Sequence, residues 1–251
     1  MHTNTLLVAS IQESTGKTAV TLALGRLAQE RGLDVGYMKP KGTRLQSNVG
    51  KTLDEDPMLA RELLDLDCEM HQMEPIVYSP TFVDGAIRGQ EDPEELGALI
   101  EEYFEQLAAN CGLMLVEGGG SWTTGGIVDL TDVDIASRLD ADVLLVADYE
   151  NPGDLDDVVA AAEAFGDRLV GVLFNGVNDA AFDDLEQQVV PFLEGRGIPV
   201  LGVIPRERDL AGVTVEDLTA ELGADVAVDG DSGAYVERFL VGAMGGDAAL
   251  R

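Results

Sequence analysis

Gly16-Lys17-Thr18 stands between an apolar run and a helical one, and that placement narrows the fold more than any other feature of the chain. Ahead of it, Thr5-Leu6-Leu7-Val8-Ala9 has the unbroken apolar character of a strand buried on both faces. Behind it, Ala19-Val20-Thr21-Leu22-Ala23-Leu24 carries helical patterning. The linking residues from Ser10 read Ser-Ile-Gln-Glu-Ser-Thr-Gly-Lys-Thr. A strand, a short loop, Gly-Lys-Thr and a helix make a phosphate-binding loop. Backbone N–H groups at the helix start face the phosphate oxygens, and the positive end of the helix dipole adds to them. Lys17 then reaches the β- and γ-phosphates of a nucleotide, and the Thr18 hydroxyl binds Mg²⁺. The residues expected around the nucleotide are Gln12, Glu13, Ser14, Thr15, Gly16, Lys17, Thr18 and Ala19. One position departs from the usual pattern, which wants a glycine where Ile11 stands.

The same tripeptide recurs at Gly50-Lys51-Thr52, and context separates the two. Arg44-Leu45-Gln46-Ser47-Asn48 before it is polar, and Leu53-Asp54-Glu55-Asp56-Pro57 after it contains a proline. No buried strand feeds it, so Lys51 is expected in a loop near the nucleotide and not in a second phosphate loop.

With 251 residues, one α/β domain or one and a half can form. The 47 acidic and 16 basic residues give a net charge of −31. The four lysines, Lys17, Lys39, Lys41 and Lys51, all lie in the first fifth, while acidic residues spread over every later helix. Acid dispersed in this way points to a surface adapted to high salt, where screening blunts self-repulsion. An acidic tail for a basic partner would concentrate the charge in one block. Binding of nucleic acid through a basic surface is not expected. Cys68 and Cys111 have no metal or disulfide spacing, and His2 and His71 read as surface residues. No apolar run approaches the roughly 18 residues of a membrane span, and no signal peptide is visible, so a soluble, cytoplasmic chain is expected.

Apolar runs at Leu6–Ala9, Val35–Met38, Leu113–Val116, Val143–Ala147, Leu169–Phe174 and Val200–Ile204 alternate with helical segments. These helices are expected at Lys17–Arg31, Pro57–Leu66, Pro93–Ala109, Asp132–Leu139, Leu155–Ala164 and Ala181–Gly195. The alternation calls for a parallel sheet with helices on both faces, its post-strand loops gathered on one edge. Cys68 to Gln90 is the least regular stretch, a lid or insertion. Near the end, Val215–Gly223 reads as a short helix capped by Thr214, and Tyr235–Met244 as another.

Four further loops carry chemistry. Leu113-Met-Leu-Val116 delivers Glu117 into Gly118-Gly119-Gly120, where glycine lets backbone approach a ligand and the carboxylate can meet Mg²⁺. The rival reading is a glycine-rich turn with a solvent-exposed acid; Trp122 either walls the site or packs. Lys39 ends the second strand, as a cation for phosphate or a substrate carboxylate, or as an exposed structural lysine. Asp56 is either a metal ligand or a helix cap. Asn175, ending a strand, can pair with a purine edge or simply turn the chain.

This order of features resembles the dethiobiotin synthetase-like group of P-loop proteins, over roughly residues 5 to 225. Within it, the chain is similar to the N-terminal domain of long phosphate acetyltransferases and to shorter relatives in which that domain precedes a DRTGG domain. The resemblance implies a P-loop NTPase-type α/β fold, with residues 1–225 as nucleotide-binding domain and 226–251 as the start of a DRTGG domain. It places Lys17 and Lys39 in catalysis, Thr18, Asp56 and Glu117 around Mg²⁺, and Gly118 and Asn175 at the nucleotide. ATP and Mg²⁺ are the implied cofactors. The implied partners are a C-terminal or separate regulatory or enzymatic domain and a second copy in a dimer.

Synthetases usually begin this loop with Gly and carry Asp two residues later, where Ser10 and Gln12 stand here. No substrate-amine pocket is recognisable in Cys68–Gln90, and no acetyltransferase domain is visible. Three functions follow as expectations: an ATP- and Mg²⁺-responsive regulatory module; an ATP-dependent ligase joining a carboxylate or carbamate to an amine; and a scaffold that has lost its nucleotide.

Overall fold

All six apolar runs become strands of one sheet in the computed structural model, which describes residues 3–43, 45–48, 51–207, 213–223 and 230–236. The chain starts with β1 (Asn4–Ser10) and α1 (Lys17–Glu30), followed by β2 (Val35–Met38). Three short strands come next, β3 (Lys41–Gly42), β4 (Leu45–Asn48) and β5 (Lys51–Asp54), leading into α2 (Glu55–Leu63). The irregular stretch holds α3 (Met70–Met73), β6 (Ile76–Val77) and α4 (Pro80–Ile87). Regular alternation resumes with α5 (Pro93–Ala108), β7 (Leu113–Glu117), α6 (Asp132–Arg138), β8 (Asp142–Ala147), α7 (Leu155–Phe165) and β9 (Leu169–Val177). The expected helix at Ala181–Gly195 is α8 (Asp179–Asp184), a π turn (Leu185–Val189) and α9 (Val190–Gly195), leading to β10 (Val200–Pro205). Pro191 lies just beyond the wide turn, where its missing N–H cannot sustain the ordinary ladder.

The sheet runs β10-β9-β8-β1-β7-β2 and every pairing in it is parallel. Its central strands β1, β7 and β8 are largely buried on both faces, and alternate residues divide between two cores. Leu7, Ala9, Met114, Val116, Val143 and Leu145 pack under the α5–α9 side. Val8, Leu144 and Val146 face the other way against Val20 of α1, while Leu115 meets Leu22 of α1 and Ala60 of α2. With β1 central and α1 across one face, the loops after β1, β2 and β7 open on the same edge. No described helix is long and apolar enough to cross a membrane.

Two elements differ from expectation. Lys51 opens β5 and is not a loop residue; Asn48 pairs with it across an antiparallel β4–β5 ladder, a pairing its polar residues did not announce. Contact between segments divides the chain into Met1–Pro205 and Arg206–Arg251. In that second unit α10 (Val215–Leu222) is capped by Thr214, whose hydroxyl accepts from Asp217 N at 3.1 Å. Tyr235 does not open a helix: it forms an antiparallel bridge with Thr214, and 237–244 lies outside the described residues.

Candidate functional site

The sheet edge carries a cleft of about 500 Å³ lined by Glu13, Ser14, Gly16, Lys17, Thr18, Ala19, Lys39, Asp56, Glu117, Gly119 and Gly120, with Leu22, Thr43, Glu55 and Leu59 completing it. Most residues singled out from sequence therefore converge on one space. Gly16 makes the strand-to-helix reversal possible, with φ 88° and ψ 22° as N-cap of α1. A side chain there would also run into the Asn175 amide, whose Nδ2 donates to Thr15 O at 2.8 Å. Asn175 thus braces the loop from β9.

Lys17 is buried beneath the loop, and Nζ donates to Ser10 Oγ at 2.7 Å and Gly120 O at 3.1 Å. Burial pulls its pKa below the ordinary lysine value, against the pull of Asp132 and Glu117. The Thr18 hydroxyl donates to Glu117 Oε1 at 2.8 Å, and the Tyr37 hydroxyl donates to Glu117 Oε2 at 2.9 Å. Glu117 is 1% exposed, which rules out the solvent-exposed acid, and burial lifts its pKa to about 7 despite Lys39 nearby.

Lys39 is buried among carboxylates and is no exposed structural lysine. Nζ lies 2.9 Å from Asp54 and 3.7 Å from Glu117, and also donates to Asp56. Burial lowers its proton affinity, but Glu117, Asp54 and Asp56 together raise its pKa above the ordinary value. The cap of α2 is Asp54, not Asp56: Asp54 Oδ1 accepts from Asp56 N at 2.9 Å. β5 ends at Asp54, so the residue just before the helix takes the cap and Asp56 turns into the cleft.

The donor set suits a hard divalent cation: a hydroxyl and two carboxylates, oxygen throughout, meet at one end of the cleft. Glu117, buried and raised, is a carboxylate that a cation would relieve. Thr18 and Tyr37 occupy its oxygens and Lys39 occupies Asp56, and no group of three His, Cys, Asp or Glu among the described residues forms a metal cage.

Besides Asn175, three expected residues sit apart from the cleft wall. Gln12 reaches Asp148 at 2.6 Å, Thr15 is buried behind the loop, and Gly118 packs against Asp132 while donating to Val8 O at 2.9 Å. Trp122 packs near Phe165, ring centres 6.2 Å apart. Among the described residues from Cys68 to Gln90, none lines the cleft. Tyr37 carried no expected role, although it lies in β2 two residues before Lys39 and, like it, comes to Glu117. Lys41 and Asp132, a buried pair at 3.0 Å, brace the glycine loop: Asp132 Oδ1 accepts from Gly119 N at 3.2 Å.

A family model described as an AAA domain matches residues 4–214. The chain belongs to this P-loop family. It is 28% identical to a phosphate acetyltransferase of Haemophilus influenzae, over 90% of this chain and 34% of that protein. Identity to a cobyric acid synthase of Rhizobium johnstonii is 30%, over 80% of this chain and 46% of that one. An ATP-dependent dethiobiotin synthetase of Methanococcus vannielii is 23% identical over 81% of this chain and 94% of its own length. The P-loop domain therefore spans a third to a half of the two larger relatives and nearly all of the smaller one.

Proposed function

We propose that this domain binds ATP with Mg²⁺ in the cleft and acts as a nucleotide-responsive regulatory module, akin to the N-terminal part of a phosphate acetyltransferase. The observation that carries the reading is the convergence of Lys17, Thr18 and Glu117 on one cleft beneath a helix N-terminus. Lys17 would neutralise the β- and γ-phosphates, and Thr18, Glu117 and Asp56 would hold Mg²⁺, which supplies charge neutralisation between phosphate oxygens when bound. Asn175 has its amide nitrogen engaged by Thr15, leaving Oδ1 as an acceptor for the amino group of adenine. The hydrogen bonds at Lys17 and Glu117 give the response its mechanism. Lys17 would leave Gly120 O for phosphate, and Glu117 Oε1 would leave the Thr18 hydroxyl for Mg²⁺ while Tyr37 keeps holding Oε2, so the two loops would rearrange together. The unit from Arg206 onward is the proposed approach to a DRTGG domain, and a dimer is the proposed assembly.

The second reading is an ATP-dependent ligase, favoured by the match along nearly the whole of a dethiobiotin synthetase. In it Lys17 and Lys39 would steady a phosphoryl group passing to a carboxylate or carbamate before an amine attacks. Against it stands the cleft wall, to which Cys68–Gln90 contributes nothing among the described residues. Titration calorimetry of ATP and ADP with Mg²⁺ in molar KCl, then phosphate release on the same sample, separates the two. Binding without turnover supports the regulatory module. Release that rises with bicarbonate, diamines or dicarboxylates supports the ligase. Absence of binding overturns both.

A further inference from the structure

Lys41 is 1% exposed, and its ammonium meets as many acceptors as it has N–H bonds. Nζ donates to Thr124 O at 2.7 Å, to Asp132 Oδ1 at 3.0 Å and to Leu130 O. These acceptors lie 83 to 91 positions further along, on the connection that leaves β7 after Glu117 and ends at the start of α6. That connection is wound round the lysine. At Gly125, with φ 100°, the backbone passes so close that a Cβ would lie 3.1 Å from Lys41 Cδ and 2.3 Å from Leu130 O. Asp132 is fully buried, and its Oδ1 also accepts from Gly119 N at 3.2 Å. Gly119 and Gly120 line the cleft, and Gly120 O accepts from Lys17. A continuous chain of contacts thus runs from the Lys41 ammonium through Asp132 to the cleft wall beside Lys17. Lys39, two residues before Lys41, lies 3.7 Å from Glu117, so one short segment meets both the strand end and the loop that follows it.

We propose that Lys41 is a positioning residue: it is the internal cation that anchors the connection after β7, and it thereby sets the cleft wall that faces the β- and γ-phosphates. The inference rests on the nucleotide reading of the cleft and adds a residue outside the lining that shapes it. Loss of the ammonium takes the donor from Thr124 O and Leu130 O and leaves Asp132 a buried carboxylate without its cation. The disturbance passes through Asp132 to Gly119 and Gly120, beside the lysine that reaches the β- and γ-phosphates. AMP carries only the phosphate cradled at the helix start, so its binding does not draw on this wall.

The test compares the wild-type chain with Lys41→Met, which keeps an unbranched apolar stem and removes the charge. Where that variant fails to fold, Lys41→Met combined with Asp132→Asn takes its place: the amide still offers Gly119 N an acceptor, and no unpaired charge is left buried. Dissociation constants of ATP, ADP and AMP with Mg²⁺ in molar KCl come from displacement of a fluorescent ATP analogue, and amide hydrogen exchange is read by mass spectrometry. ATP and ADP binding are expected to weaken by about tenfold with AMP binding unchanged, the size of one hydrogen bond to a charged group. Exchange is expected to quicken by about tenfold or more in 118–131 and to stay the same in β1 and α1. A merely structural lysine would lower stability and leave the ratio of ATP to AMP affinity where it was. That ratio unchanged, in a wild type that binds ATP, overturns this inference alone, as does unchanged exchange in 118–131. Failure of the wild type to bind ATP overturns the nucleotide reading; faster exchange confined to 118–131 then upholds Lys41 as the anchor of the loop, and unchanged exchange removes that as well.

Discussion

The Thr18 hydroxyl donates to Glu117 Oε1 at 2.8 Å although 99 positions separate them in the chain. This bond joins the first turn of the P-loop helix to the end of β7, and the other Glu117 oxygen is held by Tyr37. A carboxylate kept in register from both sides stays aimed at the cleft while nearly devoid of solvent.

That arrangement makes Tyr37→Phe informative. The ring keeps its volume in a fully buried position and loses only the hydroxyl that donates to Glu117 Oε2. The gain in ATP affinity on adding Mg²⁺ should fall by about fivefold, on the order of 1 kcal/mol, with Mg²⁺-free affinity hardly changed. Calorimetry with and without Mg²⁺ reads this directly. An identical Mg²⁺ effect in both proteins would show that Tyr37 does not position Glu117.

Glu74 gives a pH dependence of defined sign. It is buried, Oε2 accepts from Asp54 N at 3.1 Å, and Oε1 has no hydrogen-bond partner. Burial raises its pKa from 4.5 to about 7. Between those values the folded chain keeps a proton that the unfolded chain has lost, so the Glu74 contribution to stability declines as pH rises and is complete only in acid. Glu74→Gln imitates the protonated group. It should match the wild type near pH 4.5 and exceed it at pH 8 by on the order of 1–3 kcal/mol. Chemical denaturation of both proteins at several pH values tests this; stability curves running parallel would refute it.

Charge sets a third expectation. With a net charge of −31 the folded chain repels itself, and salt screens that repulsion. The thermal midpoint should rise clearly from dilute buffer to molar KCl. An unchanged midpoint would contradict adaptation of the surface to high salt.

Legibility in the sequence followed burial. Leu6–Ala9 and Val143–Ala147 announced themselves because strands covered on both faces are continuously apolar. Leu45–Asn48 and Lys51–Asp54 did not, being short and polar, so a real β4–β5 pairing looked like a loop. The placement of Lys17 and Thr18 at a helix start and of Glu117 at a strand end could be read from pattern. The surroundings of Lys39 could not, because Asp54 and Asp56 reach it from a different connection and only the folded chain brings the three together. The choice between Asp54 and Asp56 as cap depended on where β5 stopped, one turn of backbone that no local pattern marks. Ser10 showed as a departure from the synthetase pattern, and its consequence, the contact with Lys17, appears only in three dimensions.

The central claim is that Lys17 lies at the heart of a nucleotide site, and the direct test is ATP titration of the wild type and Lys17→Ala with Mg²⁺ in molar KCl. Thermal unfolding of both samples establishes that the variant is folded. Measurable ATP binding by the wild type and a loss of at least about 100-fold, roughly 3 kcal/mol, in a folded Lys17→Ala is the predicted result. Equal affinity in the two proteins would contradict the assignment of this loop to phosphate.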